Sequence, residues 1–160
     1  MTPTSGHAVR PMGPRDLDRV AALWTALTAH HAAIDPLFRL RPGADSEVRA
    51  LLGAQLQDSD AAIFVCESGG DLAGFCSVRT DRAPPIYGER ERAEITDLGV
   101  REAARRRGIG SALVAAAYEW IAGRGVGRVE VRVAARNSGG QAFWRALGFH
   151  DLMDVLQRRL

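Results

Sequence analysis

The segment Arg105-Arg106-Arg107-Gly108-Ile109-Gly110 constrains this chain more than any other, because of what flanks it. Upstream, Ile95-Thr96-Asp97-Leu98-Gly99-Val100 reads as a strand. Downstream, Ser111 to Arg124 reads as a helix, with Ile109, Leu113, Ala117 and Ile121 spaced to share one face. A strand therefore runs through a short basic loop into glycines that open a helix. The first turn of a helix carries unpaired N–H groups and about half a positive charge, so it attracts anions. Glycine removes the Cβ that would hold an anion off that backbone, and three arginines add formal charge around it. The corner suits a phosphorylated ligand.

Two familiar phosphate-binding patterns do not fit. A P-loop needs G-x-x-x-x-G-K-[ST], and the chain contains no lysine. A dinucleotide fingerprint needs G-x-G-x-x-G at the end of a strand; here Leu113 takes the third glycine position, and seven residues separate Val100 from Gly108. Glu130 falls inside the run Arg128 to Val133, not at its C-terminal end where a ribose-binding acid would sit.

The pattern that remains, R-x-x-G-x-G, resembles the acyl-CoA motif of the GNAT acyltransferase superfamily. A second signature lies about thirty residues on, at Asn137-Ser138-Gly139-Gly140-Gln141-Ala142-Phe143-Trp144-Arg145-Ala146-Leu147-Gly148-Phe149. It consists of an Asn after a strand, a short helix with paired aromatics, and Gly-Phe leading into the last strands. The resemblance is firm from Glu94 to Phe149 and softer over the first eighty residues. It implies an α/β fold with a mixed, mostly antiparallel central sheet, helices on both faces, and splayed fourth and fifth strands.

The rest of the chain accommodates that architecture. Ala8 to Met12 reads as a first strand, and Pro14-Arg15-Asp16 opens a helix that carries Leu17, Val20, Leu23, Trp24 and Leu27 to about His31. A second helix capped by Asp45 or Ser46 buries Val48, Leu51, Leu52 and Leu56. Ala61 to Cys66 and Leu72 to Val78 read as a hairpin turning at Gly69-Gly70, and Thr80 to Arg90 as a loop. Gly123 to Gly127 ends the central helix. The expected order is β-α-α-β-β-β-α-β-α-β, one domain over residues 1–160 with a flexible lead-in at residues 1–7.

Composition narrows the function classes. Of 160 residues, 46% are hydrophobic and 25% charged, the balance of an ordinary globular chain. The net charge of +2 demands no nucleic-acid partner, although the arginine cluster alone would allow one. No apolar run approaches the ~20 residues of a membrane span, and Met1 to His7 lacks the apolar stretch of a signal peptide. Cys66 and Cys76 occupy separate strands without metal-ligand spacing, so they read as reduced core thiols and no metal is expected. These features point to the cytoplasm. A homodimer is left open.

The resemblance also implies roles for individual residues. Acetyl-CoA would be the co-substrate, its pyrophosphate held by Arg105, Arg106, Arg107, Gly108, Ile109, Gly110 and Ser111. Its pantetheine arm would pair with the backbone of Leu98, Gly99 and Val100 and meet Asn137, Phe143 and Trp144. Gly99 would relax the strand into a bulge, and Asn137 would serve as arm ligand, helix cap, or both. The catalytic residues would be Glu94, as general base through water, and Leu98, whose N–H would stabilise the oxyanion. The chain departs from the family at Trp144, where many members carry a tyrosine that protonates the leaving thiolate. An indole is no practical acid, but a thiol's pKa near ~8.5 lets the thiolate leave unassisted. Tyr118 is the nearby substitute, in a position that favours core packing.

The acceptor would enter by the first two helices and their loop, about Leu27 to Pro42. His30, His31, Phe38 and Trp24 are candidates there for pocket wall or plain structure. The leading reading is an acyl-CoA-dependent N-acyltransferase acting on a small-molecule or peptide amine. The alternatives are a noncatalytic acyl-CoA-binding sensor and, third, a basic nucleic-acid-binding domain.

Overall fold

A computed structural model describes residues 7–160. Five strands form one sheet in the order of the chain: β1 (His7–Pro11), β2 (Ala61–Ser68), β3 (Asp71–Arg82), β4 (Glu91–Val100) and β5 (Val129–Val131). The first three pairings are antiparallel and β4 with β5 is parallel. The two-residue turn between β2 and β3 needs positive φ at both positions, and Gly69 and Gly70 supply 64° and 84°.

The helices cover both faces. On one side lie α1 (Leu17–Ile34) and α2 (Asp45–Gln57), whose Val20, Val48 and Leu52 pack on Ile63, Val65, Leu72 and Phe75. On the other lies α3 (Ile109–Ala122), whose Leu113, Val114, Ala117 and Ile121 pack on Cys66, Cys76, Val78 and Ile95. Because both faces are covered, β2 is buried without interruption from Ile63 to Cys66 and β3 from Leu72 to Val78. A last helix, α4 (Ser138–Ala146), joins the α3 side through Phe143, Trp144 and Leu147.

One buried ion cluster ties β1 to α1. The Asp16 side chain is fully buried and accepts from Arg10 at 2.6 and 3.0 Å, from Arg19 at 2.8 Å and from the Gly13 amide at 2.9 Å. The Arg10 bond holds the Asp16 carboxyl well below the usual carboxylate range. Arg10 also reaches Glu67 on β2 at 2.5 Å.

Several expectations change. Residues 1–6 of the expected lead-in lie outside the described residues, and His7 belongs to β1, paired with Ser68. Of the run Arg128 to Val133, only Val129–Val131 forms strand β5. The last expected strand does not form: residues 150–160 carry no regular structure, and Leu152, Met153, Val155 and Leu156 are exposed. The apolar residues there fall in adjacent pairs, Leu152-Met153 and Val155-Leu156, without the alternation of a strand, and no backbone amide of residues 150–160 finds an acceptor among the described residues.

Candidate active site

The site forms where β4 loses its neighbour. β5 pairs with β4 only from Ala93 to Ile95, so Leu98, Gly99 and Val100 run on beside an open gap. Those three residues keep their pairing to β3, opposite Cys76, Phe75 and Gly74. The bulge lies earlier than expected. Ser77 pairs with Asp97 and Val78 with Ile95, which leaves Thr96 as the extra residue. Gly99 instead makes room for a core ring. A Cβ there would stand 2.7 Å from the Phe75 ring, so its absence lets Phe75 pack under α1.

The basic loop lies just beyond. Glu102–Ala104 makes one 3-10 turn, Arg106 takes a left-handed φ of 64°, and Gly108 caps α3 at φ 79°. The amides of Ile109, Gly110 and Ser111 have no acceptor among the described residues. Arg105, Arg106 and Arg107 are exposed, and Arg105 Nε folds back on the Val100 carbonyl at 3.1 Å. Ile109 is buried and anchors the corner to the sheet. A Cβ on Gly110 would lie 3.3 Å from the Phe143 ring, so α4 closes against the start of α3. The loop thus offers free N–H donors, positive charge and no side chain at Gly108, a set that fits a diphosphate.

Asn137 caps α4, its Oδ1 accepting from the Gly140 amide at 3.0 Å. Its Nδ2 makes no hydrogen bond within the described residues. Trp144 is half-buried, held edge-on by Phe143 and Phe149 with ring centres 5.0 and 5.2 Å away. Tyr118 packs against the α3 core cluster, and burial pushes its phenol up. Burial likewise pushes the Cys76 thiol up to about 12.

Glu94 is buried and engaged on both oxygens, by Arg79 at 2.7 Å and by Arg132 at 3.3 Å. Three residues on, Asp97 meets α1: Trp24 Nε1 donates to its Oδ1 at 3.1 Å and Thr96 Oγ1 to its Oδ2 at 2.9 Å. Burial pushes the Asp97 carboxyl up. His31 lies within electrostatic reach of Asp97, and its own pKa is lowered, chiefly by burial. The α1–α2 connection runs nearby. Asp35 there bonds Arg136, next to Asn137, at 2.7 Å, and exposed Leu37 and Phe38 follow.

The structure therefore gathers the expected backbone and loop residues at one end of β4. Sequence reasoning missed Asp97, Arg79 and Arg132. The available signal was an acid between Thr96 and Leu98 in an otherwise apolar half-strand. Two open surface depressions elsewhere, near the β3–β4 connection and the end of α3, include none of these residues.

Residues 23–149 match the acetyltransferase (GNAT) family. An uncharacterised N-acetyltransferase of Methanocaldococcus jannaschii is 38% identical over 95 residues, covering 59% of this chain and 41% of that protein. Mycothiol acetyltransferase of Clavibacter sepedonicus is 31% identical over 137 residues, covering 85% of this chain and 42% of that protein. The chain thus spans about two-fifths of these relatives' length. Among solved structures, a tetramutant Bacillus halodurans protein superposes with a TM-score of 0.85 at 22% identity, covering 96% of this chain and 99% of that one. An aminoglycoside N-acetyltransferase in complex with CoA superposes with a TM-score of 0.80 at 21% identity, covering 100% and 98%. These two likenesses speak to the fold.

Proposed function

Because the chain belongs to the acetyltransferase (GNAT) family, we propose that it transfers an acetyl group from acetyl-CoA to a primary amine, by direct attack with both substrates bound. One observation carries this reading. The open edge of β4 lies beside the unpaired amides of Ile109 to Ser111, since a Cβ on Gly110 would stand 3.9 Å from the Val100 side chain, and this pairing of strand edge and helix start suits a pantetheine-like chain with a diphosphate behind it.

Along that track the residues play distinct parts. Arg105, Arg106 and Arg107 attract the diphosphate, while Gly108 and Gly110 let it reach the backbone. Leu98, Gly99 and Val100 present strand backbone to the arm, and Asn137 donates its side-chain amide to it. The Leu98 N–H stabilises the oxygen that gains negative charge as the amine nitrogen bonds to the thioester carbon. The C–S bond then breaks, and the sulfur leaves with the electron pair. Glu94, held in place by Arg79 and Arg132, receives the proton lost by the amine through water. Trp144 walls the thioester without donating a proton. The acceptor enters from the α1 side, past Trp24 and His31. Cys66 and Cys76, both free and buried, are consistent with a reducing cytoplasm, and no helix among the described residues is long and apolar enough to cross a membrane.

The decisive assay follows thiol release from acetyl-CoA over a panel of amines. Amine-dependent release supports the reading. Tight CoA binding without turnover on any amine would replace it with the sensor reading, which the absence of a tyrosine at Trp144 favours.

A further inference from the structure

The bulge at Thr96 sets two carboxylates on one face of β4. Ala93 and Ile95 point into the α3 cluster before the bulge, and Leu98 and Val100 do so after it. Glu94, Asp97 and Gly99 are left on the side where α1 packs, as the Trp24–Asp97 bond and the Phe75 and Leu27 contacts of Gly99 require. Without the extra residue, Glu94 and Asp97 would fall on opposite faces.

These two acids are treated differently. Glu94 has two arginines. Asp16, Glu67, Asp71, Asp81, Glu91 and Glu130 also each have at least one. Asp97 forms no ion pair among the described residues and is held only by a neutral indole and a neutral hydroxyl. His31 beside it is disfavoured as a cation by its own burial. A half-buried carboxylate supported by neutral donors is fixed in position but lacks its counter-charge, and an uncompensated charge away from water is costly.

We propose that Asp97, oriented by Trp24 and Thr96, is the binding site for the ammonium group of the acyl acceptor. The acceptor is therefore a cationic amine seated between α1 and β4. This rests on the acyl-transfer reading, since Leu98, the next residue, is the one assigned to the thioester oxygen there. An ammonium on Asp97 would sit one residue from the reacting carbonyl. Its proton then passes through water to Glu94, and the neutral nitrogen attacks.

Calorimetry on the CoA-loaded protein tests this with matched charged and uncharged probes: tyramine against N-acetyltyramine, glucosamine against N-acetylglucosamine, and putrescine against 1,4-butanediol. At least one charged member should bind at least tenfold more tightly than its partner. Asp97→Asn should abolish that preference and leave CoA affinity unchanged. Trp24→Phe, which keeps the carboxylate but frees it, should reduce the preference without abolishing it. In turnover, Asp97→Asn should raise the amine KM about tenfold or more with a smaller change in kcat, whereas Glu94→Gln should act mainly on kcat. No charge preference in any pair, binding of none of the probes, or a preference that survives Asp97→Asn would overturn the proposal. Failure of the wild type to bind CoA would instead remove the acyl-transfer reading. Should Asp97→Asn not fold, Trp24→Phe carries the test alone: an undiminished preference in it overturns the proposal.

Discussion

Gly108 offers the sharpest test of the anion corner, because the chain contains its own control. Gly108 and Gly125 flank α3, with φ of 79° and 71°, and a Cβ at either would meet nothing within 4 Å. Alanine at either position should therefore cost only left-handed backbone strain, roughly 1–2 kcal/mol. The lower entropy of alanine in the unfolded chain offsets about 0.4–1 kcal/mol of that. Each variant should lose about 1 kcal/mol, or about 2–4 °C in Tm for a chain of this size. Ligand binding should separate them. A Cβ at Gly108 stands at the cap of the unpaired amides and would push a diphosphate off at least one of them. A hydrogen bond to a charged group contributes about 1.5–3 kcal/mol, so Gly108→Ala should weaken CoA about ten- to a hundredfold. Gly125→Ala, at the far end of α3, should leave CoA affinity unchanged. Thermal melts and titration calorimetry read both quantities on both variants. Equal CoA affinity in the two variants, at equal loss of Tm, would refute the assignment of the diphosphate to this corner.

Glu94→Gln should lower kcat by roughly 10²–10⁴ with little change in CoA affinity, and part of the deficit should return at high pH, where the free amine needs no base. Normal turnover of this variant at neutral pH in steady-state assays would place the proton acceptor elsewhere. Trp144→Phe should change kcat by less than about tenfold, since only the indole N–H is lost. Trp144→Ala should also cost stability, roughly 1.5–2.5 kcal/mol for a half-buried ring, measurable by denaturant unfolding. Asp16 has its carboxyl pKa depressed in the folded state. Its stabilisation is therefore complete above the ordinary carboxylate range near pH ~4 and is lost as the pH falls through the folded value. Asp16→Asn should remove about 3 kcal/mol at neutral pH, the lower end for a buried pair because Arg10 is partly exposed, and should flatten the acid limb of a stability-versus-pH curve.

What could be read from the sequence was what depends on near neighbours. The turn from β4 into α3 is specified within a few residues: Gly108 needs only its own lack of a Cβ to cap the helix, and Ile109, Leu113, Ala117 and Ile121 mark the buried face by spacing alone. Asn137 likewise caps through an amide three residues away. Features that depend on distant partners were not legible. The bulge at Thr96 exists because β3, some twenty residues earlier, pairs Ser77 with Asp97 and Val78 with Ile95. Nothing within Ile95 to Val100 says that Thr96, and not Gly99, is the extra residue. Gly99 reads as a weak point in a strand until Phe75 is placed beneath it. Asp97 is just one polar position within a strand until Trp24, 73 residues earlier, is found donating to it. The strand expected after Gly148-Phe149 shows the opposite case: the resemblance alone implied it, and no backbone amide of residues 150–160 finds a partner among the described residues. The candidate site divides along the same line. Its anion corner is local backbone and was visible from the start, whereas its acceptor side is assembled from α1, β3 and β4 and follows only from the fold.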